Sequence, residues 1–114
     1  MIRIYRLAFL LLLLFISYAA VAPLEGGASV PYIDKLLHFA AFLTLTFFMD
    51  LSIKKPLLSS KAAVIVLILY AFLIELVQHF LPYRSAEVFD FVSDLIGILV
   101  YLYFAPKMNT RHTR

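Results

Sequence analysis

The sequence predicts an all-α membrane protein: a bundle of four transmembrane helices in one domain covering residues 1–114. First, 64% of its residues are hydrophobic and 15% are charged, whereas soluble domains are about half apolar and about a quarter charged. A chain this short could not hide so much apolar surface from water, because small domains bury the smallest fraction of their surface. Second, the apolar residues form four long runs separated by short polar segments. Lipid is therefore expected to be part of the solvent.

The four runs predict helices at about 5–23, 33–53, 62–81 and 88–105. A helix needs roughly 20 apolar residues to cross a hydrocarbon core, whereas a buried strand is much shorter. All five prolines lie at the edges of the runs, where helices begin or end. Most tyrosines also lie near these edges, as is typical of aromatic residues at a membrane interface.

The first run has some features of a secretory signal. Arg3 and Arg6 precede a leucine-rich stretch, and the small residues 20–22 imitate a cleavage site. Cleavage there would leave Pro23 as the new N-terminus, which is a poor context for a signal peptidase. We therefore expect an uncleaved helix.

The basic residues predict that both termini are cytoplasmic. Eight of the ten lysines and arginines lie in the N-terminal segment, the second loop and the C-terminal tail, and only Lys35 and Arg84 lie in the first and third loops. Cytoplasmic loops are enriched in lysine and arginine, so this distribution indicates an N-in, C-in topology. The basic residues do not form one face, so no nucleic-acid partner is expected despite the net charge of +3. The absence of cysteine excludes disulfide scaffolds and thiolate metal sites.

Polar residues inside the apolar runs identify a candidate site. His38, Glu75 and Asp94 come from three different helices and are expected at a similar depth, Glu75 and Asp94 roughly 9–10 Å from the nearest helix ends. Ionisable groups in membrane helices are costly and usually face a partner or a wet cavity. The complete set of candidate binding residues in the predicted outer half is Asp34, Lys35, His38, Glu75, Gln78, Arg84, Glu87, Asp90 and Asp94. Gly97, on the same helical stripe as Asp90 and Asp94, would let a neighbouring helix approach closely.

This outer half contains an excess of acids. Five carboxylates face two strong bases, which gives a local charge of −3 with histidine neutral. Protons on the carboxyl groups, a charged histidine or a bound cation could balance this charge. Carboxylate and imidazole ligands suit zinc or manganese.

Several of these residues also have a purely structural interpretation. Asp34 and Lys35 can cap a helix and pair at the interface, and Arg84 can pair with Glu87 across the loop. His79 is left outside the candidate set because it departs from the helical face that Glu75 and Gln78 share. Asp50 is expected to form an ordinary i,i+4 surface pair with Lys54.

The polar segments resemble those of VanZ-like membrane proteins. Residues 34–39 (DKLLHF) look like the D-K-x-x-H-F signature of that family, and residues 75–84 (ELVQHFLPYR) resemble its E-x-x-Q-x-x-x-P-x-R stretch. Glu87, Asp90 and Gly97 match the acidic, aspartate and glycine positions that follow. Asp94 stands where the family usually has asparagine, and Tyr101 replaces a frequent second glycine, which predicts looser packing at the cytoplasmic end.

The resemblance implies a multi-pass protein of the bacterial cytoplasmic (inner) membrane, in a family named after a member linked to resistance against the glycopeptide teicoplanin. It implies no particular reaction. Three functions are therefore considered: recognition of a lipid-linked or cell-wall precursor group at an outward-facing polar site, metal-assisted hydrolysis through His38, Glu75, Asp90 and Asp94, and a structural subunit without catalysis. Membrane lipid is the expected partner. No cofactor is expected unless a divalent cation balances the acidic cluster.

Overall fold

The computed structural model describes residues 2–22, 31–54, 56–82 and 88–108. They form four α-helices: α1 (Ile2–Val21), α2 (Pro31–Ser52), α3 (Lys61–His79) and α4 (Val88–Met108), with a short 3-10 helix at Leu57–Ser59 before α3. These described ranges contain no β-strand. Each α-helix is long and apolar enough to cross a membrane. The prediction of an all-α bundle with four membrane-spanning helices is confirmed.

The helix boundaries differ from the predicted ones by a few residues. Helix α1 begins at Ile2 rather than near residue 5, and so includes Arg3 and Arg6. Long arginine side chains can keep their charges at the interface while their stems lie along an apolar helix. Helix α4 continues through Pro106 to Met108, beyond the predicted end at 105. Proline has a helical φ angle, and near the end of a helix its missing N–H removes only one hydrogen bond.

Hydrogen bonds between the helix ends define the arrangement of the bundle. Arg6, near the start of α1, donates through Nε to the carbonyl oxygen of Ser52 at the end of α2, at 2.8 Å. Gln78, near the end of α3, donates through Nε2 to the carbonyl oxygen of Ala20 near the end of α1, at 3.0 Å. Helices α1 and α3 therefore run in one direction. Helix α2 runs in the opposite direction to α1, and α4 runs parallel to α2, since both begin at the end of the bundle where α1 and α3 finish.

This end, which contains Ala20, Asp34, Gln78 and Asp90, is called the polar end below. It is the end for which the charge distribution predicts an outward orientation, and that orientation stays a prediction. Two tyrosine contacts lie deeper in the bundle. The hydroxyl groups of Tyr70 and Ser17 are 2.6 Å apart, and the Tyr70 hydroxyl donates to the carbonyl oxygen of Leu13 at 3.2 Å.

Helices α2 and α4 approach each other closely at Gly97. A Cβ atom built on Gly97 would lie 2.6 Å from the carbonyl oxygen of Phe39 and 3.0 Å from the backbone nitrogen of Leu43. Glycine is therefore required at this crossing, as small residues are at many helix contacts in membranes. The core around the crossing is built from Phe42, Leu45, Leu67, Ala71 and Ile98. In α1 only Ile16 and Ala20 are buried, so most of this helix presents apolar side chains to lipid.

The opposite end of the bundle contains a second buried acid, and two sequence predictions are wrong there. Asp50 is 1% exposed rather than part of a surface pair. Its Oδ1 accepts a hydrogen bond from the backbone N–H of Leu57 at 3.0 Å, because the chain folds back after α2, and its Oδ2 accepts one from the Tyr101 hydroxyl at 2.5 Å. Tyr101 is itself buried, so it fills the space that a second glycine would leave and the packing here is not loose.

Candidate functional site

His38 lies at the centre of a polar cluster formed by three helices. Helix α2 places it one turn after Asp34. Its Nδ1 is 2.8 Å from Oδ1 of Asp94 on α4, a hydrogen-bond distance, and 3.8 Å from Oε1 of Glu75 on α3. These three residues were expected at one depth, and the fold brings them together. Asp94, which stands where the family usually has asparagine, is nearer to the imidazole nitrogen than Glu75 is.

The second ring nitrogen of His38 lies near another acid, Asp34. Its Nε2 is 3.9 Å from Oδ1 of Asp34. Asp90, in the first turn of α4, has one oxygen within 4.8 Å of ligand atoms of both Asp34 and His38. Nζ of Lys35 is 3.6 Å from Oδ1 of Asp90. Carboxylates therefore lie near both nitrogens of the imidazole ring.

Three carboxylates of the cluster, those of Glu75, Asp90 and Asp94, are largely buried, and most of their oxygens lack a hydrogen-bond donor. Asp90 and Asp94 are each 0% exposed. Within the described parts of the chain, Oδ2 of Asp94 and both carboxylate oxygens of Glu75 and Asp90 accept no hydrogen bond. A buried oxygen without a donor typically costs about 1–3 kcal/mol, and more when the group is charged. These oxygens therefore need a proton, a hydrogen-bond donor or a positive charge as a partner.

The charges of the described residues show that the cluster has an excess of negative charge. Four acids (Asp34, Glu75, Asp90 and Asp94) surround His38, and Lys35 is the only lysine or arginine that the structure describes in this cluster. The local charge is −3 with His38 neutral and −2 with His38 protonated. At the low effective dielectric constant of a protein interior, such an imbalance is costly unless a further cation or proton is present.

A cavity of about 300 Å³ lies between α1, α2 and α3, directly beside this cluster. Asp34, His38 and Gln78 provide its polar lining. The other walls are apolar and come from Phe15, Ile16, Ala19, Ala20, Leu37, Ala41, Phe42 and Ile74. The contribution of α1 was missed by the sequence analysis, because these residues lie in an almost uniformly apolar run in which no position stands out.

The remaining candidate residues lie in different places. Gln78 is buried and donates to the backbone of α1, so it lines the cavity rather than joining the carboxylates. His79 is exposed and packs edge-on against Phe80, consistent with leaving it outside the set. Arg84 and Glu87 lie outside the described residues, so their suggested pairing across the loop stays a prediction.

The arrangement has two chemical capacities. The His38, Glu75 and Asp94 side chains could each supply one ligand atom to a cation, since these atoms lie within 4.8 Å of one another. The adjoining cavity could hold an apolar chain whose polar end reaches Asp34, His38 and Gln78. Neither capacity requires cysteine, which the chain lacks.

Comparison with known proteins supports the family resemblance. The family model described as VanZ/LLP1 matches residues 3–108. An uncharacterized protein of Schizosaccharomyces pombe is 36% identical over 94 residues, which cover 78% of this chain and 54% of the yeast protein. The chain thus spans about half the length of that relative. No solved structure shows significant similarity to this chain. Because the family match covers all four helices and the whole polar cluster, this chain belongs to the VanZ/LLP1 family.

Proposed function

We propose that this protein binds a lipid or lipid-linked group of the bacterial cytoplasmic membrane, with the polar end of the bundle facing outward. The observation that supports the proposal best is the cavity of about 300 Å³, which is apolar along most of its wall and polar where it meets the acidic cluster. This volume lies at the lower end of the range for small-molecule sites, about 300–1,000 Å³. An amphiphile matches such a lining, because its chain fits the apolar wall and its head group fits the polar end.

The charge of the cluster indicates what kind of head group fits. The cavity meets this cluster at Asp34 and His38, and Oε1 of Gln78 beside them accepts no hydrogen bond from the described residues. A head group with hydroxyl, amide or ammonium donors would satisfy that oxygen and pair with Asp34, whereas an anionic phosphate alone would be repelled by the excess of acids. We therefore favour a donor-bearing head group, such as the sugar of a lipid-linked precursor or an amine-containing phospholipid.

The occurrence of a relative in a yeast favours a lipid over a component restricted to bacterial walls. Eukaryotic membranes contain lipids and glycosylated lipid carriers but no peptidoglycan, so a ligand shared by the two proteins would be lipidic. In a bacterial host, we expect the binding of such a group to contribute to glycopeptide (teicoplanin) tolerance, as the resemblance to VanZ-like proteins implies.

Two neighbouring alanines on α2 provide a matched test. Ala41 lines the cavity, whereas Ala40 is exposed on the lipid-facing surface of the same helix. Ala41→Leu should fill part of the cavity, while Ala40→Leu adds the same side chain outside it. The parent and both variants would be purified in mild detergent, and their retained lipids would be identified and counted by native mass spectrometry.

The parent and Ala40→Leu should retain the same lipid class, and Ala41→Leu should lose most of it. When the three proteins accumulate to equal amounts in the membrane, glycopeptide sensitivity should increase for Ala41→Leu and stay at the parent level for Ala40→Leu. Equal lipid retention in all three proteins would contradict the proposal, because the lipid would then be bound to the outer surface rather than in the cavity.

A further inference from the structure

We infer that His38, Glu75 and Asp94 form a binding site for one divalent transition-metal ion. This inference goes beyond the proposed lipid binding and does not depend on it. It rests on the positions of three donor atoms from three helices, on the type of these donors and on the unsatisfied carboxylate oxygens that surround them.

The donor atoms are already close to the separations that a metal requires. Nδ1 of His38 is 2.8 Å from Oδ1 of Asp94 and 3.8 Å from Oε1 of Glu75, and the ligand atoms of all three residues lie within 4.8 Å of one another. Ligands bound to one zinc ion at about 2.0–2.2 Å are roughly 3–3.5 Å apart. Small side-chain rotations, without movement of the helices, would therefore place an ion between them.

The types of donor select the class of ion. One imidazole nitrogen and two carboxylate oxygens suit Zn²⁺, Mn²⁺ or Fe²⁺, whereas Ca²⁺ and Mg²⁺ prefer sites made of oxygen atoms alone. Three protein ligands leave at least one coordination position for water or for a polar group of a bound molecule.

The surroundings of His38 match those of a metal-bound histidine. With Nδ1 bound to the ion, the ring proton is on Nε2, which faces Oδ1 of Asp34 at 3.9 Å. Histidine ligands usually direct their second nitrogen toward a carboxylate or carbonyl group, which fixes the ring and increases its basicity. Asp34 would have this role here.

The buried oxygens supply an independent reason to expect an ion. Asp94 is fully buried, and its Oδ1 contacts His38. Among the described residues, Oδ2 of Asp94 and both carboxylate oxygens of Glu75 have no hydrogen-bond donor. A divalent ion would provide these oxygens with a partner and would change the local charge from −3 to −1.

The test uses metal ions alone, without lipid. The full chain would be purified from membranes with an affinity tag that contains no histidine, treated with a chelator, and titrated with Zn²⁺ and Co²⁺ by calorimetry and absorption spectroscopy. We expect one equivalent of metal per chain. Glu75→Gln and Asp94→Asn keep the side-chain shape but remove a charged ligand, and each should weaken binding at least about tenfold.

His79→Gln provides the matched control, because His79 is an exposed histidine on the same helix as Glu75. This variant should bind metal as the parent does. Circular dichroism and gel filtration would show that each variant is folded, and the ligand-field spectrum of bound Co²⁺ should change in Glu75→Gln and Asp94→Asn but not in His79→Gln.

The inference would be overturned if the parent bound neither Zn²⁺ nor Co²⁺ above the detergent blank, or if His79→Gln weakened binding as much as Glu75→Gln. Equal affinity for Mg²⁺ and Zn²⁺ would also overturn it, because the site would then not select transition metals. Ala41→Leu should keep metal binding while it loses lipid, so failure of this inference can be distinguished from failure of the proposed function.

Discussion

Substitution of Gly97 by alanine should separate α2 from α4 and thereby disturb the polar cluster. The added Cβ would lie 2.6 Å from the carbonyl oxygen of Phe39 and 3.0 Å from the nitrogen of Leu43. Both atoms belong to the backbone of α2, so they cannot move away independently as the end of a flexible side chain could. A normal carbon–oxygen contact is about 3.3–3.6 Å, so the two helices must move apart locally by roughly 0.7 Å.

Two opposing effects determine how much Gly97→Ala changes the free energy of unfolding. Alanine is a better helix former than glycine by about 1 kcal/mol, whereas overpacking a close contact costs about 1–3 kcal/mol. Because the clash involves backbone atoms, we expect the overpacking cost in the upper part of this range, about 2–3 kcal/mol, and thus a net loss of about 1–2 kcal/mol. The same displacement would lengthen the 2.8 Å contact between His38 and Asp94 to about 3.5 Å, the limit of a hydrogen bond.

Unfolding by sodium dodecyl sulfate, followed by circular dichroism, would measure the loss of stability, and Zn²⁺ titration would report on the cluster. Gly97→Val should be worse than Gly97→Ala, because its additional carbon atoms increase the clash and it is a poorer helix former than alanine. Leu99→Ala is the control, since Leu99 is on the same helix and 62% exposed. If Gly97→Ala is as stable as the parent and Leu99→Ala is not, the reasoning from the close helix contact is refuted.

Three further predictions concern other parts of the bundle. Tyr101→Phe removes the hydroxyl that donates to buried Asp50 and should lower the free energy of unfolding by about 1.5–3 kcal/mol. Tyr18→Phe, at a tyrosine that is 70% exposed, should change it little, and equal effects of the two substitutions would contradict a buried hydrogen bond. Lys35→Met should destabilise the protein by about 3 kcal/mol, because it leaves Asp90 buried without this cation. The added substitution Asp90→Asn should restore most of the lost stability. If stability does not recover in the double variant, the unpaired charge is not the cause. Reporter fusions near Lys61 and in the C-terminal tail should give a cytoplasmic signal, and a fusion in the third loop should give a periplasmic signal. The reverse pattern would show that the polar end faces the cytoplasm.

The sequence was sufficient to predict the four helices and the convergence of His38, Glu75 and Asp94. Both depend on strong, local signals: long apolar runs, and ionisable residues that membrane helices tolerate only when they face a partner. The environment of Asp50 could not be predicted in this way. Its nearest basic residue in sequence, Lys54, suggested a surface pair, but its hydrogen-bond partners come from α4 and from the turn after α2, which only the folded chain brings together.

The cavity beside the cluster could not be predicted from the sequence either. Its apolar wall includes Phe15, Ile16 and Ala19, and nothing distinguishes these residues from other members of the same leucine-rich run. Tyr101 illustrates the same limit in the opposite direction. Its departure from the glycine of related sequences suggested a gap, whereas the side chain is buried and its hydroxyl binds Asp50. Packing against distant residues decides such positions, and a single sequence contains no direct record of it.

The sparse packing of α1 has a consequence for how a lipid chain could reach the cavity. Only Ile16 and Ala20 of this helix are buried, and its polar contacts with α2 and α3 include those of Arg6, Leu13, Ser17 and Ala20. Hydrogen bonds between membrane helices contribute on average about 0.6 kcal/mol each. We therefore expect lateral displacement of α1 to require less free energy than separation of α2 from α4, where the backbones are in contact at Gly97. If the proposed lipid binds in the cavity, we expect its chain to enter directly from the bilayer through the wall that α1 forms.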